Sequence, residues 1–367
     1  MRALMARWWR RSPAGTVALL ILWLFASTIA TLAAIELALQ ARATILHAFD
    51  RSEETRLANG YEPFLVEHLH PTLLFGPPRS DALRAANNPV CSMDEAGFRN
   101  PGVVASRRRP LAFLLGGSVA FGLLASSEDT TITSYMNRLQ DRYYFVNAGF
   151  PGLNSTQELV RLTADLANYH PALVVALNGW NDAALIDDPH QEGLPAGVPE
   201  QYPLLEDIFQ DGATPTFHLG ALFPQIWDRW NRWRPSAVPR ATPIGDDKIA
   251  AAAQRYIANI TRAHVVATAI GARYVAVFQP HVSLHRAAVR DDAASQPMIR
   301  YHRAVGELPM PGVEFFDFSN VFDRLQNPLV DERSGQAYFA DDVHLHDAGN
   351  AAIARELLTV MGIPLQQ

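Results

Sequence analysis

Short apolar runs alternate with longer patterns of helical period from about residue 105 onward. Each run is followed by a cluster of Gly, Pro, Ser or Asn, the residues that commonly end strands in turns. A regular alternation of apolar strands with helices is typical of a parallel sheet covered by helices. The pattern therefore predicts an α/β domain with five strands, at Leu111–Leu115, Tyr143–Asn147, Ala172–Leu177, Tyr274–Phe278 and Val313–Phe318.

A segment with helical periodicity follows four of the five predicted strands. The longest such segment begins at Asp246 and Asp247, whose carboxylates suit the positive end of a helix dipole. It continues with Ala250–Ala253, a run of strong helix formers. Helices are predicted over Thr133–Asp141, Ser155–Ala167, Asp247–Ile270 and Ala348–Met361.

An uncharged stretch lies near the start of the chain, from Ser12 to Ile35. As a helix, its 24 residues would span ~36 Å, more than the ~30 Å hydrocarbon core of a bilayer. Trp8–Arg11 supplies aromatic and basic residues on one side and Glu36 opens the other, so the positive-inside rule predicts a cytoplasmic N-terminus. Residues 1–40 are therefore predicted to form a basic start and a transmembrane anchor. A cleaved signal peptide is the alternative, and either way the rest of the chain is exported.

Composition divides the remaining chain into further regions. Residues 41–105 contain several prolines and are predicted to form a neck of short elements. Within this neck, Arg99 either binds an acidic group or is a structural surface arginine, the interpretation we favour. Residues 106–367 form the predicted main domain, with a proline-rich insertion at about 187–245. Tryptophans at three-residue spacing in the insertion predict an interfacial helix on lipid headgroups or a lid packed on the body: Trp227, Trp230 and Trp233.

Charge and cysteine content exclude several classes of function. The formal net charge is −6, and the chain after its first four arginines carries 27 basic against 37 acidic residues. Phosphate binding needs a basic face, so a nucleic-acid partner is not expected. The single cysteine, Cys91, excludes an internal disulfide and a zinc site of several cysteines.

Four short motifs contain the residue types used in nucleophilic catalysis, and three of them follow predicted strands. In open parallel sheets, ligands bind at the carboxyl ends of the strands. The fourth motif places a carboxylate three residues before an imidazole, so one short turn can present both. A serine hydroxyl becomes an effective nucleophile when an imidazole takes its proton and a carboxylate fixes the imidazole tautomer. The motifs are Gly116–Gly122, Asn147–Ser155, Asn178–Asp182 and Asp341–His344.

In their order and spacing these motifs resemble the four sequence blocks of the SGNH (GDSL-like) hydrolase superfamily, over roughly residues 108–360. The resemblance implies a three-layer α/β/α, flavodoxin-like sandwich with a parallel five-stranded sheet. It also implies a triad in which Ser118 is the nucleophile, His344 the general base and Asp341 the carboxylate that orients it. The resemblance implies neither a cofactor nor a metal.

The same resemblance implies donors for the oxyanion that forms during acyl transfer. They are the backbone N–H of Ser118, the backbone N–H of Gly152 and the side-chain amide of Asn181. Gly149 competes with Gly152 for this role, and the spacing within the motif favours Gly152. Many members of the superfamily carry Gly-Asp-Ser where this chain has Gly117 before the serine.

The sequence thus predicts a membrane-anchored, single-pass serine esterase with its catalytic domain on the periplasmic or extracellular side. The predicted substrate is an acylated small molecule or glycan, such as an acetylated envelope polysaccharide. An O-acyltransferase acting on a glycan and a non-catalytic binding module of envelope assembly are the alternatives. Taken singly, Ser118 and Asn181 also suit helix caps. A metal site is a further alternative because ligand atoms are dense at Asp341, Asp342, His344, His346 and Asp347.

Overall fold

The computed structural model describes residues 13–49, 68–70, 72–76, 90–94, 96–99, 108–184, 186, 244–286 and 295–366. The chain forms two compact units: residues 1–55 with 207–242, and residues 56–206 with 243–367. Residues 187–243 of the predicted insertion lie outside the described part of the chain. The tryptophan stripe falls within that segment: Trp227, Trp230 and Trp233.

The described part of the first unit is a single helix, α1, over Pro13–Phe49. Its segment Leu19–Ala38 has a mean hydropathy of 2.0 and is long and apolar enough to cross a membrane, although a signal sequence would have the same properties. The hydroxyls of Ser27, Thr28 and Thr31 donate to backbone carbonyls three or four residues earlier, at 2.8–2.9 Å. These bonds satisfy the three hydroxyl groups within the helix itself. The helix continues to Phe49, past the predicted end of the anchor at residue 40.

The second unit contains the predicted parallel sheet. It begins with a small antiparallel pair, β1 (His68–His70) and β2 (Leu74–Gly76). Five parallel strands then form the main sheet in the order β4-β3-β5-β6-β7. All five predicted strands are confirmed, with no boundary displaced by more than one residue. The observed bounds are β3 Leu111–Gly116, β4 Tyr144–Asn147, β5 Leu173–Asn178, β6 Arg273–Phe278 and β7 Glu314–Asp317.

Helices cover the sheet on both faces, as the apolar pattern predicts. Between β3 and β6 the described helices are α2 (Ser118–Phe121), α3 (Ile132–Leu139), α4 (Ser155–Ala164), α5 (Trp180–Ala184) and α6 (Asp246–Ala269). Helix α7 (Gln296–Glu307) lies between β6 and β7, and α8 (Asp347–Val360) follows β7. The prediction of one helix over Ser155–Ala167 was too long. Helix α4 ends at Ala164, and a 3₁₀ turn over Leu166–Tyr169 follows.

Two hydrophobic cores lie on opposite faces of the sheet because successive side chains of a strand point in opposite directions. Phe113 packs in one core with Val174 and the apolar faces of α6 and α7. Leu114, the next residue in β3, packs in the other core with apolar residues of α3 and α8. Strands β3, β5 and β6 are buried almost throughout, as expected for a sheet covered on both sides. The result is the predicted three-layer α/β/α arrangement.

The strand order fixes where chemistry can collect. The chain runs from β3 to the edge strand β4 and then crosses back over β3 to form β5, so the direction of winding changes between β3 and β5. In open α/β sheets, the crevice beyond the carboxyl ends of strands at such a point is where ligands bind. Helix α2 follows β3 and helix α5 follows β5, which brings both helix starts to this crevice.

Candidate active site

Ser118 is the first residue of α2, a single helical turn at the carboxyl end of β3. Gly116 makes the sharp exit from the strand possible: its φ is +153°, and a Cβ atom there would lie 2.2 Å from the carbonyl oxygen of Leu177 in β5. A side chain at this position would collide with the neighbouring strand. Gly122 then ends the turn in the left-handed conformation, with φ of +82°. The chain therefore presents Ser118 on a short, tightly supported turn.

Ser118 contacts His344, which lies 226 positions away in sequence. The Nε2 atom of His344 is 2.8 Å from the Oγ atom of Ser118. On the other side of the ring, Nδ1 is 2.6 Å from Oδ2 of Asp341. The structure thus brings together the three residues that the sequence analysis placed in a triad. Their side chains form a continuous line of hydrogen bonds from hydroxyl to imidazole to carboxylate.

The carboxylate of Asp341 forms several hydrogen bonds within the turn that carries it and His344. Oδ1 of Asp341 accepts hydrogen bonds from the backbone N–H of Val343 at 2.8 Å and of His344 at 2.7 Å. The backbone N–H of Ala340 donates to the carbonyl of His344 at 2.9 Å, closing the turn. Burial raises the pKa of Asp341, but the hydrogen bonds from His344 and Val343 outweigh it, so the pKa lies well below its ordinary value. Asp341 is therefore an ionised acceptor at neutral pH.

The other acidic residues near His344 have different surroundings. Asp347 accepts hydrogen bonds from the backbone N–H of Ser126 at 2.8 Å and from its hydroxyl. The backbone carbonyl of Asp342 accepts a bond from Val282 at 2.9 Å. Within the described ranges, no group of three or more His, Cys, Asp or Glu residues is arranged to hold a metal ion.

Asn181 and Gly152 lie next to the serine turn. The Nδ2 atom of Asn181 donates to the carbonyl of Leu153 at 2.6 Å. A Cβ atom on Gly117 would lie 2.4 Å from this same Nδ2, which places the amide directly against the backbone before Ser118. Gly152 has φ of +82°, a conformation that favours glycine. The two loops that carry Gly152 and Asn181 are therefore in direct contact.

Gly149 has a different reason to be glycine. A Cβ atom at this position would lie 2.4 Å from the backbone nitrogen of Phe121 and 2.8 Å from the backbone carbon of Ala120. Its side is thus pressed against the backbone of α2. Asn147 joins the same two segments, because its Nδ2 donates to the carbonyl of Phe121 at 3.0 Å and its Oδ1 accepts from the N–H of Gly149 at 3.0 Å. Gly149 therefore allows close packing against the backbone of α2, whereas Gly152 adopts the left-handed conformation in the turn that precedes α4.

Trp180, the residue before Asn181 in the chain, packs against His281. Their rings are stacked, with centroids 4.5 Å apart and planes 25° apart. His281 is buried, and its Nδ1 accepts a hydrogen bond from the N–H of Ser283 at 3.1 Å. Burial lowers the pKa of His281 to about 4, although Asp342 and Asp341 raise it. The imidazole is thus neutral at physiological pH.

Arg99 is buried, so the prediction of a structural surface arginine was wrong. Its side chain has 0% exposure and forms an ion pair with Glu128 at 2.9 Å, in agreement with the alternative that Arg99 binds an acidic group. The guanidinium also donates to the carbonyls of Phe121 at 3.0 Å and Gly122 at 2.8 Å. These carbonyls end α2, so a buried positive charge caps the turn that carries Ser118. The sequence around Arg99 gives no signal of this role, since Glu128, Phe121 and Gly122 lie 22 or more positions away.

Comparison with known proteins gives structural likeness only. No family model and no curated protein matches the chain. A GDSL-like lipase from Bacteroides thetaiotaomicron VPI-5482 is 16% identical, with 71% of this chain and 90% of that chain covered and a TM-score of 0.36. The acetyl xylan esterase AlAXEase is 12% identical, with 68% and 98% covered and a TM-score of 0.39. The acetylxylan esterase Axe2 from Geobacillus stearothermophilus, as a catalytic mutant, is 14% identical, with 71% and 96% covered and a TM-score of 0.40.

Proposed function

We propose that this chain is a serine hydrolase that cleaves carboxylic esters through an acyl-enzyme. The observation that carries the proposal is the line of hydrogen bonds from Ser118 Oγ to His344 Nε2 at 2.8 Å and from His344 Nδ1 to Asp341 Oδ2 at 2.6 Å. A hydroxyl, an imidazole and a carboxylate at these distances are what nucleophilic attack by serine requires. Their position at the change of winding in the sheet supports the same function.

The proposed reaction has two halves. Ser118 Oγ attacks the carbonyl carbon of the ester while His344 Nε2 takes its proton, and the resulting imidazolium gives that proton to the departing alcohol. Water then attacks the acyl-enzyme, giving one proton to His344, and the carboxylic acid leaves as the proton returns to Ser118 Oγ. Asp341 stays ionised throughout because its pKa is lowered, so it holds the Nδ1–H tautomer and stabilises the imidazolium.

Three donors are proposed to stabilise the oxyanion. They are the backbone N–H groups of Ser118 and Gly152 and the side-chain amide of Asn181. The amide of Asn181 has two N–H groups, of which one donates to the carbonyl of Leu153, so the other is available to the substrate. Loss of one such donor costs ~3 kcal/mol of transition-state stabilisation.

We also propose that α1 anchors the protein to a membrane as a single pass, with the catalytic domain on the periplasmic or extracellular side. The apolar segment Leu19–Ala38 and the arginines before it support this placement. An exported esterase site near a membrane suits an acylated glycan of the envelope or of an extracellular polymer. Mass spectrometry of the membrane fraction distinguishes an intact α1 from a cleaved signal peptide, which would leave a shortened soluble chain.

Activity-based labelling tests the catalytic proposal. The full chain, purified in detergent, is expected to react with a fluorophosphonate probe and to hydrolyse p-nitrophenyl acetate, whereas Ser118→Ala does neither. Ser334→Ala, at an exposed serine on a surface turn, is the matched control and keeps both activities. A native protein that takes no label contradicts the proposal and favours a binding module. Labelling with acyl transfer that exceeds hydrolysis once an oligosaccharide acceptor is added would identify an O-acyltransferase.

A further inference from the structure

The two loops that hold the proposed oxyanion donors are joined by a second set of bonds besides the one from Asn181. Asp182, the residue after Asn181, accepts a hydrogen bond at Oδ2 from the backbone N–H of Ser155 at 3.1 Å. Its Oδ1 accepts a bond from the hydroxyl of Ser155. Ser155 lies three residues after Gly152, so Asp182 connects the Gly152 loop to the Asn181 loop through both groups of a single serine.

The serine hydroxyl at this junction is fully engaged. It donates to Asp182 and accepts a hydrogen bond from Nδ2 of Asn259 in α6 at 3.0 Å. Asn259 also donates to the hydroxyl of Thr156 at 2.9 Å, next to Ser155. Ser155 is 3% exposed and Asn259 is 5% exposed. Ser155 is therefore a buried link between α5 and α6 and has no free hydroxyl for chemistry of its own.

The carboxylate of Asp182 occupies a place suited to negative charge. It lies at the first residues of α4, where the backbone N–H groups have no acceptor within the helix and the helix dipole favours an anion. Asn154 caps the same helix end, since its Oδ1 accepts from the N–H of Thr156 at 3.1 Å and of Gln157 at 3.2 Å. Two acceptors on neighbouring segments thus fix the direction in which the chain leaves Gly152 and enters α4.

Charged and titratable groups approach Asp182 from each packed element. Burial raises the pKa of Asp182 to about 6, and the bonds from Ser155 and the charge of Arg255 in α6 lower it. Glu158 in α4 is buried and hydrogen-bonded to Asn178, and its pKa is raised well above the ordinary value mainly by burial. Tyr256 in α6 and Tyr301 in α7 have pKa values raised well above the ordinary value, mainly by burial, and stay neutral. With a pKa of about 6, Asp182 changes charge in mildly acidic solution.

We propose that Asp182 is a positioning residue that sets the distance between the Gly152 N–H and the Asn181 amide by accepting both hydrogen bonds of Ser155. The inference rests on the proposed esterase function. An ionised carboxylate accepts both bonds, whereas a protonated one has a hydroxyl in place of one acceptor and can hold only one of them well. Protonation therefore loosens the two loops, and the oxyanion donors lose their fixed spacing.

Asp182→Asn tests this role because it keeps the shape of the side chain and removes one acceptor. The expected result is a fall in kcat for p-nitrophenyl acetate of about 10- to 100-fold with a much smaller change in KM, as for a displaced catalytic group. In the native enzyme, protonation of Asp182 adds one proton to those that reduce kcat/KM in acid, so the acid limb of its logarithm is steeper by up to about one unit of slope than in Asp182→Asn.

The slope separates positioning from a general loss of folding, which lowers activity without changing the number of protons. Asp331→Asn, at an exposed turn, is the matched control and keeps the native slope. If Asp182→Asn does not fold, Ser155→Ala replaces it: this variant keeps the backbone bond, so kcat falls less than tenfold and the pH profile shifts. An active native enzyme whose Asp182→Asn and Ser155→Ala variants keep native kcat and slope overturns this inference alone. An inactive native enzyme overturns the proposed function instead.

Discussion

The two halves of the candidate site are supported in opposite ways. Ser118 is 8% exposed and lies on a turn fixed by tight backbone packing against β5 and by the buried charge of Arg99. Asp341 has a side chain 47% exposed, and its carboxylate bonds within its own turn, to Val343 and His344. The serine half therefore depends on buried contacts with distant segments, whereas the side-chain hydrogen bonds of Asp341 are local. Substitutions in the two halves should accordingly separate loss of activity from loss of stability.

The largest expected effect is on activity alone. His344→Ala removes the proposed general base, so kcat should fall by about 10⁶, as it does when one member of a catalytic triad is removed. Because the ring of His344 forms its hydrogen bonds with Asp341 and Ser118 inside the candidate site, the midpoint of urea denaturation should stay near the native value. His346→Ala, two residues further on, is the control and should keep most of its activity. A large loss of stability in His344→Ala would break the contrast between the two halves.

Asp341→Asn should lower kcat by about 10⁴, because an amide does not hold the required tautomer of His344. Its Oδ1 can still accept the backbone bonds of the turn, so the fold at neutral pH should be kept. In the native protein the pKa of Asp341 is lowered by folding, so its stabilising effect is present at neutral pH and is lost as pH falls below the ordinary value of 3.8. The native protein should therefore be more stable than Asp341→Asn above about pH 4, and this difference, followed by circular dichroism, should shrink as pH falls further. Equal kcat values would exclude Asp341 from the mechanism.

Arg99→Met should act mainly on stability. Removing one partner of a buried ion pair leaves Glu128 without its positive neighbour, at a cost of about 3–5 kcal/mol in the free energy of unfolding. Activity should fall as well, because the guanidinium caps the turn that carries Ser118. The surface pair of Arg138 and Asp129, with side chains 40% and 68% exposed, provides the control. Arg138→Met should change the free energy of unfolding by less than about 1 kcal/mol. Equal effects of the two substitutions would remove the special role of Arg99.

Gly149→Ala has a smaller expected effect than the substitutions above. It tests whether Gly149 and Gly152 are glycine for different reasons. The added methyl group must displace the backbone of α2, which should cost about 1–3 kcal/mol of stability, as overpacking does. The turn carrying Ser118 would move with it, so kcat should also fall. Gly152→Ala strains a left-handed φ, at about 1–2 kcal/mol. Urea titrations of both variants measure this difference, and a more stable Gly149→Ala would contradict the packing assigned to it.

The sheet could be predicted from sequence because its central strands β3, β5 and β6 are short apolar runs that are buried on both faces. The prediction of α4 was three residues too long because its apolar period continues into the 3₁₀ turn at Leu166–Tyr169, and periodicity does not distinguish the two. The catalytic roles of Ser118, His344 and Asp341 stay predictions, although the structure places these residues in contact.

Residues that act through distant partners could not be predicted. Arg99 pairs with Glu128 and with carbonyl groups of α2, and none of these partners is close to it in sequence. Gly149 contacts backbone atoms of α2 that a sequence pattern does not reveal. The link from Asp182 to Ser155 spans 27 positions and depends on how β5 lies beside β3. Each of these contacts depends on the fold as a whole, so local motifs did not predict them.

The edge strand β7 bears on how this domain meets other copies of itself. Its sequence, Glu-Phe-Phe-Asp, places a carboxylate at each end, at Glu314 and Asp317. Glu314 is held by Arg273 of β6, and Asp317 is held by His302 at 2.8 Å. A strand adding to this side of the sheet would have to strip water from both carboxylates, so the strand discourages edge-to-edge aggregation even though its centre is aromatic.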